Sequence, residues 1–313
     1  MRKLLAILGP TATGKTDLAL QLARKFQGEI ISADSRQVYK GLDIGTGKIP
    51  NNNGQLTKGK GYWEIGGMKI WMYDVADIKR QYNISRFVKS AERKIKEIYK
   101  IGKLPIIVGG SGLYLKALTE GLSNLSFPVD KKLRKDLEKL TKEQLQEKLK
   151  EIPTKKWESM NSSDRENPRR LIRAIELSKA KSLKLKVKDY EILRIGLTAP
   201  REILYEKADK RVVSRLDQGM LEETENLRMS GLSIKRMKQL GLEYGVLADY
   251  LQGKISERNL IKIMQNKIHA FIRRQQTWFR KEKNAIWFDI SAKDFPANVE
   301  KRIIKWYHHS DES

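Results

Sequence analysis

Cysteine is absent from this sequence of 313 residues, and histidine is scarce, with 3 residues. The lack of cysteine excludes disulfides, zinc sites built on thiolates and a cysteine nucleophile. Because two of the few histidines are the adjacent pair His308 and His309, we expect neither a histidine-based metal site nor a catalytic triad. The absence of cysteine favours a protein of the reducing cytoplasm.

The sequence also lacks an apolar run long enough to span a bilayer, which takes about 20 residues. Met1, Arg2 and Lys3 lead straight into a short apolar stretch, so a secretory leader is not expected. We therefore expect no membrane association, and nothing in the sequence implies an obligate protein partner.

Acidic residues are few: 38 Asp and Glu stand against 63 Lys and Arg, which gives a formal net charge of +25. Such a charge is costly through self-repulsion, and an enzyme for a small phosphorylated metabolite has no need of it; the alternative explanation is a proteome that is rich in Lys throughout. Between residues 254 and 283 nine basic residues stand against two acidic ones. Helical spacing places Arg273, Thr277 and Arg280 on one face, with Trp278 beside them as a stacking group. This pattern favours a nucleic-acid partner; the alternative is a charged surface that Trp278 anchors to the core.

Residues 9–16 match the G-x-x-x-x-G-K-[ST] pattern of a phosphate-binding P-loop. The apolar run 4–8, typical of a buried strand, precedes them, and apolar residues at helical spacing follow from Leu18. Loop amides and the helix N-terminus would hold phosphate oxygens, with Lys15 adding positive charge and Thr16 able to bind Mg²⁺. The predicted phosphate-binding residues are Gly9, Pro10, Thr11, Ala12, Thr13, Gly14, Lys15 and Thr16.

Strands alternate with helices along the chain, which predicts a parallel sheet. The predicted strands are 4–8, 29–32, 70–74, 104–108, 192–197 and 286–288. Besides the helix after the P-loop, helical periodicity covers 85–100, 130–152, 169–177, 201–229 and 256–283. Residues 46–62 are rich in Gly, Lys and Asn and predict an exposed loop.

Residues 122–190 are helical in pattern and heavily charged, unlike the flanking sequence. Within them, Asn167 and Pro168 predict an N-cap followed by proline in the first helical position. The predicted fold is α/β, a P-loop NTPase-like parallel sheet flanked by helices. Its core would comprise residues 1–121 and 191–313, with 122–190 as a helical insertion domain.

Asp34 follows the second predicted strand, and Gly109, Gly110 and Ser111 follow the strand that ends at Val108. Ligands of parallel sheets gather at the carboxyl ends of the strands, so these residues should meet the P-loop there. Asp34 could help to hold Mg²⁺, act as a general base or close an Asx-turn. The strand ending at Val108 lacks the Asp that holds Mg²⁺ in many P-loop NTPases, which is evidence against ordinary nucleotide hydrolysis. The glycines would let a bulky group approach the backbone.

Five segments, residues 9–16, 31–46, 109–118, 168–176 and 273–279, span nearly the whole chain. In their residues and in their order they resemble the motifs of the bacterial tRNA dimethylallyltransferase family. The chain departs from the family at 67–73, where a histidine is usual, and at 241–245, where Gly-Leu-Glu-Tyr-Gly replaces a Gly-Tyr-basic motif.

The resemblance implies that a dimethylallyl group is transferred from dimethylallyl diphosphate to N6 of the adenosine 3′ of a tRNA anticodon, with Mg²⁺. The implied catalytic residues are Asp34 beside the adenine amine, Thr16 at the diphosphate and its Mg²⁺, Lys15, and Arg211 at the leaving diphosphate. The insertion would hold the anticodon stem-loop. Implied tRNA contacts are Asp34, Ser35, Arg36, Gln37, Ser111, Arg134, Arg169, Arg170, Arg173, Arg273, Arg274, Gln275, Gln276, Thr277 and Arg280.

Two other function classes are compatible with the P-loop or with the charge. A small-molecule P-loop kinase would use Asp34 and bind ATP, but it explains neither the net charge nor the insertion. A non-enzymatic RNA-binding module explains the charge but leaves the phosphate loop without a role.

Overall fold

The computed structural model describes residues 2–49, 55–122, 130–153, 155–178 and 190–308. In these ranges the strands are β1 (Arg2–Leu8), β2 (Gly28–Ser32), β3 (Leu56–Gly59), β4 (Tyr62–Ile65), β5 (Met68–Trp71), β6 (Leu104–Gly109), β7 (Tyr190–Thr198) and β8 (Ile286–Asp289).

The helices of the described ranges fall into three groups along the chain. The first group is α1 (Lys15–Lys25), α2 (Ile84–Lys100) and α3 (Gly112–Thr119). The second is α4 (Lys131–Leu137), α5 (Lys142–Glu151), α6 (Lys156–Ser159), α7 (Ser162–Arg165) and α8 (Pro168–Ser178). The third is α9 (Arg201–Asp217), α10 (Met220–Met229), α11 (Ile234–Leu240), α12 (Leu242–Tyr250), α13 (Glu257–Phe279) and α14 (Phe295–His308).

The strands form one sheet in the order β3-β4-β5-β2-β6-β1-β7-β8. From β5 to β8 neighbouring strands are parallel, whereas β3, β4 and β5 pair antiparallel. Leu8 of β1 pairs in register with Gly109 of β6 and with Gly196 of β7. The P-loop, Asp34 and the turn after β6 therefore leave the sheet at one edge, as predicted.

The core explains why β1 is an interior strand of the sheet. Residues 4–8 are completely or almost completely buried, as expected for a parallel strand covered on both faces. Leu18, Leu22 and Phe26 of the α1 region pack into the same cluster as Val299 and Ile303 of α14.

The predicted exposed loop at 46–62 is wrong in its second half, and the next strand begins earlier than predicted. Residues 56–59 form β3, with Leu56 opposite Ile65 of β4, because the glycines supply tight turns between short strands rather than a long loop. The strand predicted at 70–74 is β5, which ends at Trp71 since Met72 and Asp74 have φ of 72° and 56°.

Two predicted helices are interrupted. The segment 201–229 divides into α9 and α10 at Gly219, which adopts φ of 95°, a conformation that suits glycine. The segment 130–152 divides into α4 and α5, and Thr141 caps α5 by accepting the Gln144 N–H.

The chain divides into two compact units, one of residues 1–120 with 188–313 and one of residues 121–187. The helical unit has its own apolar core, formed around Leu145, Leu149, Leu171 and Ile175. The Asn167 side chain accepts the N–H groups of Arg169 and Arg170 at the start of α8, so the predicted N-cap is confirmed. Residues 50–54 and 179–189, which fall within predicted loop or insertion, lie outside the described residues.

Candidate active site

The P-loop leaves β1 in a conformation that exposes backbone amides. Gly9, Ala12 and Gly14 all have positive φ, of 144°, 69° and 73°. A Cβ at Gly9 would overlap the Leu197 carbonyl of β7, so glycine is required there. Gly14 caps α1 without a side-chain hydrogen bond, which leaves the amides of the first helical turn available to an anion.

Two cations flank this loop without a carboxylate ion pair among the described residues. The Lys15 ammonium donates to the Pro10 carbonyl at 2.5 Å and to the Thr13 hydroxyl at 3.3 Å. Nη2 of Arg211 donates to the Thr11 hydroxyl at 2.5 Å, while its buried Nε has no hydrogen-bond partner in the described structure. An unpaired guanidinium N–H at a P-loop indicates a site that an anion completes.

Burial and mutual repulsion shift the protonation of both cations. Burial first, and then the charge of Arg211, lower the pKa of Lys15 to about 7, although Asp34 opposes the shift. Burial, with the charge of Arg215, lowers the pKa of Arg211 to about 9. A bound polyanion would reverse both shifts.

Asp34 closes a turn and also faces the pocket. Its Oδ1 accepts the N–H groups of Arg36 at 2.8 Å and Gln37 at 3.3 Å, which is an Asx-turn. Its Oδ2 accepts no hydrogen bond from the described residues. The turn and the chemical roles considered above are therefore compatible, because each uses a different oxygen.

One pocket at the carboxyl edge of the sheet brings the predicted centre together. Thr16, Asp34, Gly110 and Arg211 all line it. Apolar side chains form another part of its wall, namely Ile44, Ile49, Val108, Leu242, Ile268 and Phe271.

The glycines at the end of β6 and just after it lie close to other parts of the protein. A Cβ at Gly109 would overlap the Ala33 backbone, one at Gly110 the Gln275 amide and one at Gly112 the Trp278 indole. Groups of the protein itself therefore approach these glycines closely, while Gly109 and Gly110 also line the pocket. The approach of a bulky ligand to them stays a prediction.

In two of the predicted tRNA contacts, Gln275 and Gln37, both the oxygen and the nitrogen of the side-chain amide form hydrogen bonds within the protein. Gln275 is 6% exposed; its Oε1 accepts the Thr11 N–H at 2.8 Å and its Nε2 donates to the Gly110 carbonyl at 2.9 Å. Gln37 accepts from the Ser32 hydroxyl and donates to the Thr46 carbonyl. Both act as bridges between loops of the site.

The other predicted contacts on α13 are more exposed. Arg273 donates to the Tyr205 hydroxyl at 3.1 Å, and Gln276 accepts from Arg201. Thr277 donates back to the Arg273 carbonyl of its own helix. Arg280, which follows α13, is exposed.

Predicted contacts near the Asp34 turn are partly engaged. The Arg36 guanidinium donates to the Leu240 carbonyl at 2.7 Å and lies 5.9 Å from the centre of the Phe271 ring, with Arg274 at 5.7 Å from the same ring. The Ser111 hydroxyl accepts the Ser35 N–H at 3.2 Å.

In the helical unit, most predicted contacts are already in ion pairs. Arg134 makes two hydrogen bonds to Glu176, at 2.7 and 2.6 Å, and Arg173 reaches the same carboxylate at 3.0 Å. Arg170 pairs with Asp164. The exposed Arg169 side chain forms no ion pair among the described residues.

Among the described residues, no group of three or more His, Asp or Glu side chains is arranged to hold a metal ion. Thr16 lies in the first turn of α1 and lines the pocket with Asp17 and Asp34. This donor set suits Mg²⁺ that keeps waters and is bound mainly by substrate phosphates.

Comparison with known proteins identifies the family. The model of the IPP transferase family matches residues 37–282, and that of isopentenyl transferase matches residues 2–62. A tRNA dimethylallyltransferase of Treponema denticola is 40% identical over 90% of this chain and 92% of its own length, and one of Acetivibrio thermocellus is 36% identical over 98% and 97%. The chain belongs to the IPP transferase family.

Solved structures agree with this membership of the IPP transferase family. The tRNA isopentenylpyrophosphate transferase of Bacillus halodurans is 31% identical, with a TM-score of 0.71 over 99% of this chain and 100% of that one. A eukaryotic dimethylallyltransferase, 23% identical, has the same fold, with a TM-score of 0.80 over 100% of this chain and 81% of that one. The predicted fold class, the resemblance and the prenyltransferase activity class are confirmed.

The described part of the chain contains no helix long and apolar enough to cross a bilayer.

Sequence reasoning missed the second layer of this IPP transferase site. Glu223 accepts backbone N–H groups of residues 43–45, which border the pocket, and the Tyr244 hydroxyl donates to Glu223. Lys48 pairs with Asp43 of the same segment. In the departing segment, Gly241 separates α11 from α12, so that Leu242 lines the pocket and Tyr244 is fully buried. A motif search does not find Glu223 because the amides that it binds, those of Asp43 and Ile44, lie 180 and 179 residues earlier in the sequence.

Proposed function

We propose that this enzyme transfers a dimethylallyl group from dimethylallyl diphosphate to N6 of the adenosine 3′ of a tRNA anticodon. The observation that carries the proposal is the pocket that contains the P-loop with Lys15, Arg211 and Asp34: among the described residues the two cations have no carboxylate ion pair, and Asp34 Oδ2 accepts no hydrogen bond. A basic net charge of +25 supports a nucleic-acid substrate, and the relatives named above are tRNA-modifying enzymes.

The P-loop amides, Lys15 and Arg211 bind the diphosphate. The allylic carbon separates from the bridging oxygen with cationic character, and negative charge grows on that oxygen. Lys15 and Arg211 stabilise this charge in a site sheltered from water. Mg²⁺, bound through Thr16 and the phosphates, would supply further charge neutralisation.

Asp34 accepts the proton that the amine must lose. The lone pair of the exocyclic amine is delocalised into the adenine ring, which makes it a poor nucleophile. As the C–N bond forms and the C–O bond breaks, a proton leaves N6, and Oδ2 of Asp34 takes it. Since the amine is stacked inside the anticodon loop, the base has to swing out to reach this carboxylate.

A transfer assay tests the proposal directly. Purified protein is incubated with unmodified tRNA, dimethylallyl diphosphate and Mg²⁺, without ATP, and the nucleosides are analysed by mass spectrometry. We expect one C5H8 unit on the adenosine 3′ of the anticodon. Isopentenyl diphosphate, whose reacting carbon is not allylic, is the control and should give no product. Phosphate transfer from ATP without prenylation would favour the kinase alternative.

The cytoplasmic location that the sequence predicts stays a prediction.

A further inference from the structure

Residues 43–47, which we call the wall loop, form a side of the active-site pocket that the reaction described above leaves without a role. Ile44, Gly45, Thr46 and Gly47 all line the pocket. Ile44 and Ala12 of the P-loop pack against the same apolar cluster. The position of the wall loop therefore affects the space beside the diphosphate site.

Glu223 of α10 binds the wall loop through consecutive backbone amides. Its Oε2 accepts the N–H groups of Asp43 at 2.9 Å and Ile44 at 2.8 Å, and its Oε1 accepts that of Gly45 at 3.3 Å. The Tyr244 hydroxyl donates to Oε1 at 2.6 Å. An ionised carboxylate that receives several N–H groups forms strong, charge-assisted bonds.

Two more side chains restrict the loop from the same direction. Nη1 of Arg215 donates to the Gly45 carbonyl at 2.8 Å and pairs with Glu243 at 3.2 Å. A Cβ at Gly45 would overlap the Tyr244 side chain, and one at Gly47 would overlap the Arg215 guanidinium. The wall loop thus packs directly against α9 and α12.

A buried lysine that follows the wall loop holds it as well. The ammonium of Lys48, whose side chain is fully buried, pairs with Asp43 at 2.9 Å and donates to the Tyr39 carbonyl at 2.7 Å. Gln37 donates to the Thr46 carbonyl at 3.2 Å, while its N–H bonds Asp34. The wall loop is therefore connected to the turn that holds the proposed base.

We propose that Glu223 is a positioning residue that fixes the wall loop and thereby limits the prenyl diphosphate to a short chain. The inference rests on the proposed function. Glu223 does not itself line the pocket, so it acts through residues 43–45. When its charge is removed, the Gly45 amide loses its acceptor and the loop can move outward. A wider pocket binds the five-carbon chain less tightly and admits a ten-carbon chain more readily.

The test compares two substrates with three variants. Glu223→Gln keeps the shape of the side chain but replaces one carboxylate oxygen, an acceptor, with an NH₂ group, a donor. Tyr244→Phe keeps the ring over Gly45 and removes one hydrogen bond. The matched control is Glu29→Gln: Glu29 is also buried, accepts from Trp71 Nε1 at 2.6 Å and pairs with Lys103 at 3.0 Å, but lies in β2 at the end away from Asp34.

For Glu223→Gln we expect the KM for dimethylallyl diphosphate to rise about fivefold, the change that follows from the loss of roughly one hydrogen bond. The ratio of kcat/KM for dimethylallyl over geranyl diphosphate should fall about tenfold. The tRNA affinity and the kcat with saturating dimethylallyl diphosphate should remain within about twofold of wild type. Tyr244→Phe should raise the KM for dimethylallyl diphosphate and lower the chain-length ratio of kcat/KM, each by less than Glu223→Gln does.

Glu29→Gln should lower the melting temperature without moving the KM or the chain-length ratio. If Glu223→Gln and Tyr244→Phe fold and keep the wild-type ratio, the positioning role is wrong. If both change the ratio no more than Glu29→Gln does, the effect is general destabilisation and the inference is also overturned. Wild-type protein that prenylates no tRNA would instead contradict the proposed function, and this arm separates the two failures.

Discussion

The active-site edge of the sheet and the helical unit both carry basic residues, but in different electrostatic states. At the edge, Lys15 and Arg211 have no carboxylate ion pair among the described residues, and Arg211 retains a buried N–H without a partner. In the helical unit, Arg134 and Arg173 share Glu176, whose side chain is only 3% exposed.

The difference separates basic residues that need a ligand from basic residues that stabilise the fold. An unpaired buried cation gains the full benefit of an arriving phosphate, whereas a paired one has to share or give up its carboxylate. The sequence shows the same residue types in both regions. Their partners decide the role.

The largest effect is expected at Asp34. Asp34→Asn preserves Oδ1, so the turn to Arg36 and Gln37 persists, but the side chain can no longer accept the proton. Turnover should fall about 10²- to 10⁴-fold, while affinity for dimethylallyl diphosphate changes less than about tenfold. Single-turnover rates and equilibrium binding on the same variant check this.

Asp77→Asn is the matched control, since Asp77 Oδ1 likewise accepts the N–H of the residue two positions on, that of Lys79 at 2.9 Å, but Asp77 does not line the pocket; its turnover and diphosphate affinity should remain those of wild type. If Asp34→Asn loses diphosphate affinity in proportion to its rate, Asp34 is an organiser of Mg²⁺ rather than a base. An active Asp34→Asn enzyme would exclude both roles.

The next effect concerns the unpaired guanidinium. Arg211→Ala should lower kcat by about 10²-fold or more, because charge on the leaving diphosphate loses a donor in the transition state. Lys210→Ala, its neighbour in α9, is the control: Lys210 is exposed and pairs with Glu206, so its loss should leave the rate unchanged. Steady-state kinetics measure both, and equal rates for the two variants would remove Arg211 from the reaction.

The site was predictable as far as its chemistry depends on local sequence. The P-loop, Asp34 and the glycines after β6 follow from strand–loop–helix patterns, and parallel strands bring them to one edge. What each group touches was not predictable. Gln275 looks like a contact on a basic helix, yet it joins Thr11 to Gly110, because α13 packs against a loop more than 250 residues earlier.

The fold was predictable where apolar periodicity is strong. Central strands such as β1 and β6, and helices such as α2, were found within a few residues. The hairpin at β3 was missed because Lys and Gly dominate its sequence, and pairing with β4 rather than propensity makes it a strand. The break at Gly219 was missed because a single glycine is tolerated in many helices.

A smaller, pH-dependent effect tests the state of Lys15. In the free site its pKa is lowered to about 7, and bound diphosphate favours the charged form. Binding therefore takes up a proton above pH 7, and affinity should fall by up to about tenfold per pH unit there, but not below it. Calorimetry in two buffers of different ionisation enthalpy measures the uptake.

Lys15→Arg is the control for this measurement, since a guanidinium, with its higher intrinsic pKa, stays protonated around pH 7 to 8, roughly the range in which Lys15 titrates. Subtracting the proton uptake of this variant from that of the wild type removes the contribution of the diphosphate's own titration. Identical proton uptake by wild type and Lys15→Arg would show that Lys15 is charged before the ligand arrives.

The smallest effect contrasts two arginines of the helical unit. Arg169 is exposed and unpaired among the described residues, whereas Arg134 holds Glu176 with two hydrogen bonds. If Arg169 contacts a phosphate, Arg169→Ala should reduce the slope of log K against log salt by roughly 0.7–0.9, with an unchanged melting temperature.

Arg134→Ala should do the opposite: it leaves Glu176 with Arg173 alone, so the melting temperature falls. Its salt slope changes little because that charge was already neutralised. Titrations of one tRNA at several salt concentrations, beside thermal melts, separate the two. A large change in slope for Arg134→Ala would mean that the ion pair opens to admit phosphate, and that paired and unpaired basic residues are not distinct classes in this protein.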